Sequence, residues 1–195
     1  MRRVGVIVAA VALGSVALAT GFGAALASGG GDRSERRAVA TLMDASGQKL
    51  GVAIFKQRQG KVDVAAEVAG AAPGFHGFHV HAVGECMAPF TSAGGHYNPG
   101  AMTHGDHAGD MPPMLVNQDG TAELRFQTDR FSLSDLFDAD GSAVIVHAGR
   151  DNVANIPNRY HSHTYDTFGP DVDTLATGDA GARAACGVVE RSSGS

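Results

Sequence analysis

From Ala38 to Val189 no stretch of the chain keeps the apolar period of an amphipathic helix. Short apolar runs alternate with turn signals instead. Ala38–Leu42 and Leu50–Gln57 read as strands joined through Asp44-Ala45-Ser46-Gly47. Lys61–Val68 (KVDVAAEV) and Gly77–Val83 (GFHVHAV) alternate in the two-residue period of a half-buried strand. Met114–Asn117 and Ala122–Gln127 flank Asp119-Gly120, a strong hairpin dipeptide. Ala143–His147 (AVIVH) is β-branched and reads as a buried strand, and Ala185–Val189 (ACGVV) as the last one. The 27 glycines among 195 residues supply the turns such a chain needs. The pattern predicts an antiparallel sandwich or barrel. Two long stretches, Gly84–Pro113 and Ala148–Ala184, fit no strand. Loops of that length in a compact domain are usually functional.

The N-terminus stands apart. Met1-Arg2-Arg3 is positive, Val4–Thr20 is uncharged and apolar, and Ala25-Leu26-Ala27 is a small-residue cleavage pattern. Residues 1–27 therefore read as a secretory signal peptide, or alternatively as an uncleaved membrane anchor. On either reading the remainder is exported, to a bacterial envelope compartment or beyond. Residues 28–37 (SGGGDRSERR) read as a flexible linker and 38–195 as the domain. The whole chain carries a net charge of −5; without residues 1–27, which hold two arginines and no acid, 13 basic and 20 acidic residues give −7. That balance argues against a nucleic-acid partner.

Nine histidines raise the question of a metal. His79 and His81 lie two apart in an alternating strand, so both rings face the same side. Of the nine, five fall between His79 and His107, a span of 29 residues. His96, His104, His107 and Asp110 make a closed set of three imidazoles and one carboxylate, which suits tetrahedral zinc. His147 ends an apolar strand. An all-imidazole set of His79, His81, His96 and His147 suits copper, and a His96 common to both sets would bridge two metals through its two ring nitrogens.

With GFHGFHVHAVGEC (74–86), SAGGHYNP (92–99), HGDHAGD (104–110), VIVHAGRDN (144–152) and TGDAGARAACGVV (177–189), the chain resembles bacterial copper/zinc superoxide dismutases over roughly residues 38–190. The resemblance implies an all-β fold, an eight-stranded antiparallel Greek-key barrel or sandwich with two long functional loops. It implies one copper and one zinc per chain on the ligand sets just given, with superoxide as substrate and no partner beyond a possible second copy. It further implies that Asp151 links a copper ligand, His79 or His81, to the zinc ligand His104. Arg183 would stand beside the open copper position, with His96 also taking part in catalysis, and Cys86 and Cys186 would form a disulfide.

The chain also departs from the pattern. Many members of the family carry a lysine just before the Thr-Gly segment, where this chain has Thr174-Leu175-Ala176. Electrostatic guidance therefore falls to Arg183, with Arg150 and Arg159 as further candidates. Residues 156–173 form an insert that matches no catalytic motif. Its His161-Ser162-His163 reads as an exposed polar loop or as an extra metal site, and His76 as structural.

Overall fold

The computed structural model describes residues 37–192; the expected signal segment and nearly all of the linker lie outside them. All eight expected strands form: β1 (Arg37–Asp44), β2 (Lys49–Arg58), β3 (Lys61–Val68), then after a short β4 (Gly74–His76), β5 (Phe78–His81), β6 (Met114–Val116), β7 (Ala122–Thr128) and β8 (Ala143–His147). In the second long loop a two-residue hairpin follows, β9 (His161–Ser162) and β10 (Thr167–Phe168), then a six-residue helix, α1 (Val172–Thr177). The last strand, β11, spans Arg183–Ser192.

Seven strands form one antiparallel sheet in the order β5-β8-β11-β1-β2-β3-β7. This curled antiparallel sheet is the all-β architecture expected of a Greek-key barrel. The alternation does the sorting. Ala38, Ala40 and Leu42 of β1 and Val62, Val64, Ala66 and Val68 of β3 point inward, while their neighbours face out. Phe55, Phe78, Met114 and Leu136 fill the interior, each fully buried.

One expected pairing differs. The Asn117–Thr121 turn forms, with Asp119 accepting from the Thr121 amide (3.0 Å) and hydroxyl (2.6 Å). The strands it joins, however, pair elsewhere: β6 with β4, and β7 with β3 over seven residue pairs. A tight turn sets the direction of the chain locally, but the long ladder to β3 decides where β7 lies.

The disulfide joins Cys86, in the first long loop, to Cys186 of β11, with Cα atoms 5.7 Å apart. Around it Phe90, Ala93, Ala143 and Ile145 form a small second core. The first loop is thus pinned both covalently and by apolar packing.

Candidate metal centre

The centre is built on an edge strand. β5 pairs with β8 on one side (Phe78↔Val146, His81↔Ala143). Its other edge is covered by the first long loop. The Val80 amide donates to Gly109 O (2.9 Å), and Val80 O accepts from the Tyr97 amide (2.8 Å). Isolated bridges set His79 beside Asp110 and His81 beside His96. The loop can come this close because residue 109 is glycine: a Cβ there would stand 2.3 Å from Val80 O. Two histidines from a strand and two ligand candidates from a loop are therefore held by one backbone ladder.

His79, His81, His96 and His147 are all buried, and they offer ring nitrogens that lie within 4.8 Å of one another. A second group converges on one carboxylate oxygen. Asp110 Oδ1 lies 2.9 Å from His96 Nδ1 and 3.3 Å from both His104 Nδ1 and His107 Nδ1. His79 also has a ligand atom within 4.8 Å of His96, His104 and Asp110. Its outer nitrogen, though, is already bonded to Asp151, and the three Nδ1 atoms about Asp110 make the tighter set. His96 belongs to both groups: Nδ1 faces Asp110, which leaves Nε2 for the other side, and the His79 ring stacks on it at 4.0 Å.

Each outer ring nitrogen has its own anchor. His81 Nδ1–H donates to Gly94 O (3.0 Å) and His147 Nδ1–H to Gly181 O (3.1 Å). Because a carbonyl can only accept, these bonds fix the tautomer. Asp151 takes Nε2 of His79 (2.6 Å) on one oxygen and Nε2 of His104 (2.8 Å) on the other. The carboxylate thus joins His79, not His81, to His104. The inner nitrogens, His79 Nδ1, His81 Nε2, His104 Nδ1 and His147 Nε2, are buried without hydrogen-bond partners. A buried orphan acceptor costs about 1–3 kcal/mol. Four in one place, beside a carboxylate, are the donor set of a cation site.

Electrostatics agree. Burial lowers the pKa of His79 to about 4, despite its bond to Asp151, and that of His147 to about 3; it holds His81 well below its usual range too. Burial also opposes the charges of Asp110 and Asp151, yet the neighbouring imidazoles, His104 and His96 at Asp110 and His104 and His79 at Asp151, outweigh it and keep both far below the usual carboxylate range. His104 is pushed up to about 9: burial works against its charge, but the nearby carboxylates of Asp110 (3.3 Å) and Asp151 (2.8 Å) prevail. Neutral imidazoles and ionised carboxylates are the forms that bind metal; His79, His81, His147 and both carboxylates already stand in them, whereas His104 must give up its proton as an ion enters.

The family profile described as "Copper/zinc superoxide dismutase (SODC)" matches residues 49–189. The chain belongs to the copper/zinc superoxide dismutase family. A Mycobacterium tuberculosis "Superoxide dismutase [Cu-Zn]" is 42% identical over 163 residues, 76% of this chain and 68% of that protein. An "Extracellular superoxide dismutase [Cu-Zn]" of Brugia pahangi is 33% identical over 159 residues, 78% of this chain and 74% of that protein. A crystal structure of a double mutant of a superoxide dismutase-like protein from Bacillus subtilis superposes with a TM-score of 0.62 at 29% identity, covering 77% of this chain and 95% of that one. The cofactors of this dismutase family are copper and zinc, and the orphaned nitrogens fit them.

Arg183 opens β11 opposite His147. Its guanidinium donates to Phe90 O and to Gly94 O (2.6 Å), and Gly94 O is also the acceptor of His81. It is half-buried beside the all-imidazole group. His76 donates or accepts no side-chain contact with the metal centre; its two ring nitrogens face the backbone carbonyls of His147 and Ala72, each at 2.8 Å. Arg150 is exposed, and the Arg159 guanidinium lies over the Tyr160 ring at 4.8 Å.

Two contributors were not singled out by sequence. Gly178 caps α1 with φ +60°, and a Cβ there would fall 2.2 Å from both Asp151 Oδ1 and His104 Nε2. Arg130 donates to Gly105 O (2.9 Å) and His107 O (3.1 Å), holding the loop between two ligand candidates. The Thr-Gly-Asp run around Gly178 was visible in the sequence; nothing marked Arg130.

Proposed function

We propose that His79, His81, His96 and His147 hold copper, that His96, His104, His107 and Asp110 hold zinc, and that the chain dismutates superoxide at the copper side. The observation that carries this is the inward set of buried ring nitrogens: partnerless ones of His79, His81 and His147 on one side, and Nδ1 of His96, His104 and His107 grouped about the Asp110 carboxylate on the other. Copper, cycling between two oxidation states, supplies the electron exchange that turns two superoxide anions and two protons into dioxygen and hydrogen peroxide; zinc has no such chemistry. The chain's residues do the rest. His96 can hold a proton at Nε2 and give it to the departing peroxide, because its Nδ1 stays committed on the Asp110 side. Asp151 keeps the rings of His79 and His104 oriented from outside. Arg183 draws in the small anion, with its own geometry fixed by two carbonyls.

Arg183→Glu should lower the dismutation rate about 10-fold or more at low ionic strength, with copper still bound. An unchanged rate would remove Arg183 from the reaction. Metal analysis of protein matured with both ions should find one copper and one zinc per chain, whereas zinc alone at both positions would overturn the assignment. Residues 1–27 are proposed to be a signal for export. The disulfide supports an oxidising compartment, and one relative bears the name extracellular. Mass analysis of the protein recovered outside the cytoplasm should show a chain beginning at Ser28.

A further inference from the structure

Seven of the nine histidines are buried: His76, His79, His81, His96, His104, His107 and His147. The other two, His161 and His163, lie at the surface of the insert in the second long loop. His161 opens β9, and His163 is the first residue of the turn that follows it, so the bend of the hairpin brings the two rings together. Their ring centroids are 5.0 Å apart. In the buried centre the corresponding separations are 5.1 Å for His96 and His104 and 5.4 Å for His104 and His107.

The first ring is also oriented. His161 Nε2–H donates to Asp166 Oδ1 (3.0 Å), which leaves the lone pair on Nδ1. The cross-strand Phe168 packs against the same ring at 4.6 Å. An imidazole whose second nitrogen is held by a carboxylate is the usual arrangement of a metal-binding histidine. The charge of the insert leans toward a cation: residues 156–173 contain Asp166, Asp171 and Asp173 against a single basic residue, Arg159, whose guanidinium lies over Tyr160.

We propose that His161 and His163 form an accessory surface site for a divalent transition-metal ion, with Asp166 as the residue that positions His161. Two imidazoles with the remaining positions open to water select copper(II) first among the available divalent ions. The site is separate in sequence and in exposure from the buried centre.

The test uses the full protein, first loaded with copper and zinc and freed of excess, then titrated with copper(II) in a non-chelating buffer. Bound metal is read by mass spectrometry and by electron paramagnetic resonance. The wild type should take up one further copper(II) per chain with a second resonance signal, and a His161→Gln, His163→Gln double variant should not. His163→Gln alone should weaken that uptake about 10-fold or more, and Asp166→Asn by about 10-fold, the scale on which outer partners of metal ligands act. The dismutation rate before titration should match in all four proteins. Equal uptake by the wild type and the double variant, or no uptake by either, would overturn the proposal. A failure of the buried centre would show differently, as the same shortfall of loaded metal in both.

Discussion

At residue 178 a single hydrogen atom separates a working bridge from a collision. Gly178 both ends α1 in the left-handed region and leaves room for the bond between Asp151 and His104. Gly178→Ala should displace the Asp151 carboxylate and lower zinc affinity by about 10–100-fold, measured by competition with a chromogenic chelator; unchanged affinity would show that the bridge tolerates the intrusion. The ligand candidates themselves were legible because chemistry confines them: imidazoles at i and i+2 on a strand, and three more with a carboxylate in one loop. The choice between His79 and His81 as the partner of Asp151 was not legible. Both rings leave the strand on the same face, and only the neighbours of each outer nitrogen, Asp151 for one and Gly94 O for the other, tell them apart.

Elements were readable where their periodicity ran long enough. β3 and β8 declare themselves through alternation and branched side chains. The β9–β10 hairpin, with two residue pairs, and α1, with six residues, are too short to carry a period. The turn at Asp119-Gly120 was also legible, but the preference of β6 for β4 depends on residues about forty positions away in the chain. The disulfide belongs to this scale, because it ties the loop that carries Phe90 and Gly94, the two acceptors of Arg183, to the strand that carries Arg183 itself. Replacing Cys86 and Cys186 by serine should cost about 4–5 kcal/mol in the chain-entropy account for a loop of 100 residues, read from denaturant unfolding. It should also loosen Arg183, so the rate should fall even under conditions where the chain stays folded and holds copper.

For the whole molecule, the sign of the charge sets a problem that the fold answers locally. A chain of net charge −5 must receive an anion. Raising ionic strength should therefore slow the wild type if the field around Arg183 dominates, and leave Arg183→Glu unaffected or faster; stopped-flow assays across a salt series read the difference. Metals also act on global stability, because only the folded chain gathers the partnerless nitrogens. Free metal at a hundred times its dissociation constant stabilises by about 2.7 kcal/mol per site, so chelation should lower the thermal midpoint by roughly 5–10 °C per site in a domain of this size. Calorimetry of the protein with zinc alone should recover part of that shift.

The ladder between the first long loop and β5 has one more consequence. A sheet's outer strand is a template on which another chain can add itself, and proteins that keep such strands short of partners tend to polymerise. Here the loop that gathers His96, His104, His107 and Asp110 also lies along the outside of Phe78–His81, occupying Val80 from both its amide and its carbonyl. Whatever keeps that loop in place, ion or disulfide, also denies the strand to a second molecule. Loss of both should make the protein prone to self-assembly as well as inactive.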